Sequence, residues 1–309
     1  MDFNYFKKHK YDNLKELMSL EKYDCLITSY VEADRVRKTS QMIPSKEKWW
    51  VCGNGVVPKF VKDDRLFHIH EDNDGGIAES VVRGGYKRLC VDITGFETPQ
   101  LFVLIRFLMF KGIRKFDAIY TEPNRYKEDE DTKFSDTLSA VKVVTGYAGL
   151  NTSETQNDLL LIAAGYDHSR IIDVANDKKG AQKVLVFGFP PSSPGMFQEN
   201  ILRAHLAETA VGEDCFKNID LNVFAPANDP FSTAQALKEY LARPRRGSFT
   251  NVYLSPLSSK PQALGMALFY LWEEGNKRPW SVIYPFCNQY MSDTSTDISR
   301  IWRYEVELP

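Results

Sequence analysis

Short apolar runs that open directly into small, polar or aromatic loops recur along this chain, each with a helical pattern behind it. Leu159-Leu160-Leu161-Ile162 runs into Gly165-Tyr166-Asp167-His168, and Val184-Leu185-Val186-Phe187 into Gly188-Phe189-Pro190-Pro191-Ser192. Val252-Tyr253-Leu254 leads to Ser255-Pro256-Leu257-Ser258-Ser259-Lys260-Pro261, and Ala118-Ile119-Tyr120 to Thr121-Glu122-Pro123. Continuous apolar runs of this length suit strands covered on both faces, as parallel strands are in an α/β sheet. Ligands of such sheets bind outside the carboxyl ends of the strands, so the loops after these runs are where chemistry is expected.

The same reading gives a helix over Asn13 to Leu20 and strands at Asp24–Thr28, Trp49–Cys52, Leu66–His70, Leu89–Ile93 and Phe116–Tyr120. Gly53-Asn54-Gly55 marks a turn, and the apolar stretch from Pro99 to Phe110 a buried helix. Lys127 to Lys133 reads as a solvated loop, and Lys142 to Val144 as a possible strand or edge. Further strands are expected at Leu221–Phe224, Asn251–Leu254 and Ser281–Tyr284, with helices over 196–211, 232–242 and 261–274. Ile301 to Val306 alternates as an antiparallel strand does. The fold expected is a mainly parallel, doubly wound, Rossmann-like α/β sheet with an antiparallel C-terminal edge strand; Leu89–Ile93, Leu159–Ala163 and Lys183–Phe187 are its central strands. One continuous unit over 1–309 is favoured. The alternative divides the chain near Tyr147–Gln156 into two Rossmann-like halves, 1–150 and 151–309.

Composition adds little to this picture and removes several function classes. The 309 residues are 43% hydrophobic and 26% charged, ordinary for a soluble globular protein. With 39 basic and 41 acidic residues the net charge is −2, which argues against a broad nucleic-acid footprint. Cys25, Cys52, Cys90, Cys215 and Cys287 are odd in number and widely spaced, unlike a disulfide scaffold or zinc ribbon; a reducing, cytoplasmic setting is expected. The basic amino terminus has no apolar segment behind it, so no signal peptide is read. Arg106 breaks the Leu101–Phe110 run, which is too short for a bilayer, and no membrane association is expected.

Candidate chemistry concentrates in four loops. His168 lies beside Asp167 after Tyr166 and is the best general-base candidate, with Asp167 as its orienting acid; the plainer reading is an N-cap with a surface histidine. Ser258, Ser259 and Lys260 precede an apolar helix and favour an anion such as phosphate, although Ser259 as N-cap with Pro261 in the first turn explains the same residues. Tyr120 and Tyr126 flank Glu122 and could sandwich a base or sugar while Glu122 meets hydroxyls or exchanges a proton; a turn with half-buried tyrosines is the rival. Thr28, Ser29 and Tyr30 form a comparable strand end, and Thr94 another, with Glu32 and Arg35 read as a surface pair. Ser29, Tyr30, Thr94, Tyr120, Glu122, Tyr166, Asp167, Ser258 and Lys260 are expected to share one crevice. The three prolines after Gly188 make a rigid wall. His68-Ile69-His70, with Glu71, Asp72 and Asp74, lacks a third ligand at a recognised metal spacing, and no metal or cofactor is assigned. There is no Gly-x-Gly-x-x-Gly, Gly-x-Ser-x-Gly, His-Glu-x-x-His or Cys-x-x-Cys, which disfavours dinucleotide oxidoreductases, ordinary α/β hydrolases and zinc proteases.

Val91-Asp92-Ile93-Thr94, Ile119 to Tyr126, Gly188-Phe189-Pro190-Pro191 and Ser255 to Gly265 resemble blocks of uncharacterised bacterial Rossmann-like proteins linked to defence and nucleotide signalling. The resemblance brings no catalytic residues and implies a nucleotide-type ligand. The function expected is binding or sensing of a nucleotide or other phosphorylated small molecule, with a protein partner or a second copy as recipient of the signal. The alternative is a hydrolase or transferase acting on a nucleotide.

Overall fold

The computed structural model describes residues 1–31, 33–52, 65–68, 75–126, 138–243, 249–287 and 295–309. In chain order the strands are β1 Lys8–Tyr11, β2 Tyr23–Ser29, β3 Ser45–Cys52, β4 Arg65–His68, β5 Leu89–Asp92, β6 Lys115–Tyr126, β7 Leu138–Val143, β8 Leu159–Ala163, β9 Gln182–Gly188, β10 Asn222–Ala225, β11 Val252–Pro256, β12 Trp280–Cys287 and β13 Ser295–Glu307. The helices are α1 Asp34–Met42, α2 Gly75–Gly84, α3 Thr98–Phe110, α4 His168–Asp177, α5 Met196–His205, α6 Glu208–Val211, α7 Asp214–Lys217, α8 Pro230–Leu241 and α9 Lys260–Trp272.

These strands form two sheets, of seven and six strands, where the sequence reading favoured one continuous unit. The chain packs as two compact units: a first made of Phe6–Thr132 and Met291–Pro309, and a second made of Met1–Tyr5 and Lys133–Tyr290. The Tyr147–Gln156 segment lies inside the second unit, tied to β11 and β12 by Thr152 N–H to Asn251 Oδ1 (2.8 Å) and by Val282 N–H to the Tyr147 carbonyl (3.0 Å).

The first sheet has the order β1-β13-β6-β5-β2-β3-β4. Its stretch from β6 to β4 is parallel, while β13 runs antiparallel to β6 and to β1. Counted by appearance in the chain, the parallel strands lie in the order 3-2-1-4-5, the dinucleotide-fold order. The second sheet, β10-β9-β8-β11-β12-β7, repeats that order in its five parallel strands and adds β7 antiparallel to β12. Right-handed crossovers then place the helices after the first strands on one face and those after the chain turns back on the other. In the second unit Leu160, Ile162, Ile171, Val174 and Leu185 share one core with Ala204 and Val211 of α5 and α6, while α8 packs on α9. This double covering is why β5 and β8 are buried at every position.

The alternating Ile301–Val306 run belongs to an antiparallel strand, as expected, but short β1 pairs on its outer side and takes the edge position expected of it. Three local expectations change. Asn13–Leu20 holds only a 3-10 helix, Leu14–Ser19, capped by Asn13. The helix expected over 196–211 breaks at Leu206–Ala207 into α5 and α6. Tyr120–Tyr126 is strand rather than loop, because β13 pairs with β6 as far as Tyr126. Gly53–Gly55, Ile69 to Asp74, Glu32 and the Lys127–Lys133 loop lie outside the described residues. All five cysteines are free thiols, with only Cys287 partly open to solvent. Among the described residues no helix is long and apolar enough to cross a membrane.

Candidate functional site

A parallel sheet whose strand order reverses leaves a crevice where neighbouring crossovers depart to opposite faces, at the carboxyl ends of the two central strands. Each unit has one such crossing: β2 with β5 in the first, β8 with β11 in the second.

At the first crossing Thr28 and Asp92 are register partners, so their side chains lie side by side. Thr28 Oγ1 donates to Asp92 Oδ2 (3.3 Å) and the Thr94 amide to Asp92 Oδ1 (3.1 Å). Thr94 Oγ1 in turn accepts from the Thr121 amide (3.1 Å) and hydroxyl (3.2 Å), and the Thr121 carbonyl accepts from Arg35 Nη1 (2.6 Å). Thr28, Asp92 and Thr121 are each fully buried. Burial pushes the Asp92 carboxyl up to about 6, and the Thr94 and Thr28 donors with the Arg35 charge offset only part of that rise. Gly95 lets the two loops meet: a Cβ there would lie 2.8 Å from Val31 Cγ2 and 2.9 Å from Val36 Cγ2. Helix α1 starts here behind Ala33, a residue with no capping group, and no side chain caps its first turn among the described residues. Arg35, in that turn, has its Nε buried without a hydrogen-bond partner among the described residues.

The second crossing is tied shut by its own polar groups. A Cβ on Gly165 would lie 2.0 Å from the Leu257 carbonyl oxygen, so only glycine allows the β8 and β11 loops to approach this closely. Asp167 caps α4, accepting from Ser169 N–H (3.2 Å) and Oγ (2.5 Å). Ser259 caps α9 by accepting from Gln262 N–H (3.3 Å) and donates to the Ala227 carbonyl (2.5 Å). Ser258 donates to Gln262 Oε1 (2.5 Å), whose amide nitrogen donates to the Ala225 carbonyl (3.2 Å). Arg170 is buried in the first turn of α4 and donates to Tyr284 Oη (2.8 Å), the Pro285 carbonyl (3.2 Å) and Cys287 Sγ (3.4 Å), which fixes α4 against β12. The Arg203 guanidinium lies 5.3 Å from the Tyr166 ring centre.

The residues expected in one crevice therefore divide between two sheets. Ser29, Tyr30 and Thr94 meet at the first crossing, all nearly buried. Tyr120 and Glu122 are buried within β6, where Glu122 faces Arg300 of β13 (Oε2 to Nε, 3.7 Å); the Tyr126 side chain lies outside the described residues. Tyr166, Asp167, His168, Ser258, Ser259 and Lys260 belong to the second unit. Among the described residues no hydrogen bond or ion pair joins His168 to Asp167, and the Asp167 carboxylate serves as a helix cap. Asp92, Thr28, Thr121 and Arg35 were missed as a group. The available signal was an acid inside the apolar run Leu89-Cys90-Val91-Asp92-Ile93, since a carboxylate in a doubly covered strand needs donors around it.

No protein-family model matches the chain, and no curated protein sequence matches it. Among solved structures it is similar to CobK precorrin-6A reductase at 11% identity and a TM-score of 0.26, over 86% of this chain and 90% of that one. It is also similar to an N-terminal ketoreductase from a macrolactin assembly line at 8% identity and a TM-score of 0.24, over 89% of this chain and 72% of that one. The Rossmann-type assignment rests on the strand order of the two sheets themselves.

Proposed function

We propose that the chain binds a nucleotide or another phosphorylated small molecule at the β2/β5 crossing of the first unit. The observation that carries this reading is the start of α1 at the strand-order reversal: among the described residues no side chain caps it, and Arg35 in its first turn has a guanidinium N–H without a partner. Free first-turn amides, the helix dipole and a guanidinium together form a receptor for a phosphate. Ser29 and Tyr30 border that position, and the Thr121-Thr94-Asp92-Thr28 chain holds the two strand ends in register behind it. Binding without chemistry is favoured because among the described residues neither crossing assembles a nucleophile, a base and an orienting group. Isothermal titration and thermal shift with ATP, a cyclic mononucleotide and NADPH test the reading. At least one should bind saturably and raise the melting temperature, and Arg35→Ala should weaken it by about tenfold or more, about 1.4 kcal/mol. Arg35→Ala binding as tightly as the parent would sink the phosphate position.

One observation favours turnover instead. A carboxyl that titrates near neutrality at a strand-order reversal is suited to proton transfer. Product formation from a bound nucleotide, abolished in Asp92→Asn, would move the assignment to a hydrolase or transferase.

A further inference from the structure

We propose that the second unit carries its own small-molecule site at the β8/β11 crossing, and that this site takes an uncharged, hydroxyl-rich ligand of the sugar type. Two polar atoms there are buried without a hydrogen-bond partner among the described residues: Ser255 Oγ and Asn200 Oδ1. Ser255 is fully buried, and Asn200 is 9% exposed. They belong to the same place. Strand alternation puts Ser255 on the face of Tyr253, which packs in one core with Leu160 and Ile162 of β8 and with Ala164 just past it, and is covered by α4 and α5. Ser255 pairs in register with Ile162, and Asn200 of α5 donates from Nδ2 to the carbonyl of Ala164, just past the end of β8 (3.3 Å). Both orphans thus lie on one face, at the carboxyl ends of the two strands where the order reverses.

The chemistry of the ligand follows from which groups are already committed. Both helices that start at this crossing carry side-chain caps, Asp167 on α4 and Ser259 on α9, and the hydroxyl protons of Ser258 and Ser259 go to Gln262 and Ala227. Of the described cations on the flanking helices, Arg170 is committed to Tyr284, Pro285 and Cys287, and Arg203 to Glu199 and the Tyr166 ring. Among the described residues, the buried groups left without a partner at this crossing are one hydroxyl that can donate and one amide oxygen that can only accept. Ligand hydroxyls satisfy both, one accepting from Ser255 and one donating to Asn200. A vicinal diol does so with two neighbouring oxygens. Among the described residues nothing supplies these partners, and leaving buried polar atoms unpaired is costly. Both atoms are closed off from solvent. A single ordered water is the rival occupant.

D-ribose and adenosine, titrated into the full chain by calorimetry and followed by thermal shift, test the site. Neither probe carries phosphate, so the result does not depend on the reading at the first crossing. At least one probe should bind saturably at millimolar concentration or below, and Ser255→Ala should weaken it at least tenfold. The same substitution should leave the melting temperature without probe unchanged or raised, because it removes an unpaired buried hydroxyl. Asn200→Ser, which keeps a small polar group, should weaken the same probe and guards against loss of folding in larger replacements. Absence of binding by both probes overturns the proposal. So does binding untouched by Ser255→Ala, and so does a lowered melting temperature without probe in Ser255→Ala, which would mean that an ordered water already satisfies the hydroxyl.

Discussion

Asp92→Asn offers the most direct check on the first crossing, because the structure sets both the sign and the size of its effect. The ordinary aspartate value is 3.8, and burial raises that of Asp92 to about 6. At about 1.4 kcal/mol for each pH unit, holding the carboxylate charged in this setting costs about 3 kcal/mol at neutral pH. Between those two values the folded chain keeps a proton that the unfolded chain has released. Stability from this group is therefore fully present below pH 3.8, falls as pH rises toward about 6, and is level above that. Asparagine mimics the protonated form at every pH. Its Oδ1 still accepts from the Thr94 amide, and the Thr28 hydroxyl can rotate to accept from its NH2. The variant should match the parent near pH 4 and exceed its stability by about 1–3 kcal/mol at pH 7–8. Urea titrations read by hydrogen-exchange protection of β2 and β5 isolate the first unit from the second. A stability difference independent of pH, or a variant less stable than the parent at pH 8, would refute the reasoning. Either result would mean that the surrounding donors already outweigh the burial of the charge.

Two further predictions address the frame. Gly165→Ala should destabilise the second unit by about 2–4 kcal/mol, because a Cβ 2.0 Å from the Leu257 carbonyl must displace backbone; Gly180→Ala, with nothing within 4 Å, should stay within about 0.5 kcal/mol in the same calorimetric comparison. A fragment of residues 1–126 lacks β13 and leaves β6 with an unpaired edge, so circular dichroism should show no cooperative unfolding until a 295–309 peptide is supplied. Cooperative melting of the fragment alone would show that β13 is dispensable.

Elements whose environment is set locally were legible in the sequence. Leu159–Ala163 was read with its observed bounds, and Lys183–Phe187 within one residue at each end, because strands covered on both faces are apolar at every position. Ser259, followed by Pro261 in the first turn, marks the observed start of α9, whereas α8 begins at Pro230 behind the Asp229 cap, ahead of the helix expected over 232–242. What escaped depends on partners far away in the chain. Tyr120–Tyr126 has the proline and asparagine of a loop, and is strand only because β13 pairs with it. No local pattern states which sheet a strand joins, so the division between β6 and β7 stayed hidden. The site followed the same rule. Ser29, Tyr30 and Thr94 could be picked because they follow strands. Arg35 was read as a surface charge, and only the fold brings its guanidinium to the Thr121 carbonyl. Ser258 and Ser259 were visible as hydroxyls, but their commitment to Gln262 and Ala227 depends on how the β10 and β11 loops meet.

The two sheets share more than their strand order. In each, a proline and a glutamine open the helix that follows the fourth parallel strand, Pro99-Gln100 in α3 and Pro261-Gln262 in α9. In each, the fifth parallel strand is shielded by an antiparallel neighbour that comes from beyond the other unit's parallel set. β12 receives β7, which follows β6 in the chain, and β6 receives β13, which follows β12. An unshielded fifth strand would be an exposed edge, so each half is completed by a segment that the chain reaches only after working on the other. Pairings this distant in sequence form late, because loop-closure entropy is lost before they contribute. The consequence reaches the first crossing. Thr121 stands opposite Ile301 in the β6/β13 ladder, and Thr121 both donates to Thr94 and accepts from Arg35. The proposed phosphate receptor is therefore ordered by a strand that the chain adds only after β12.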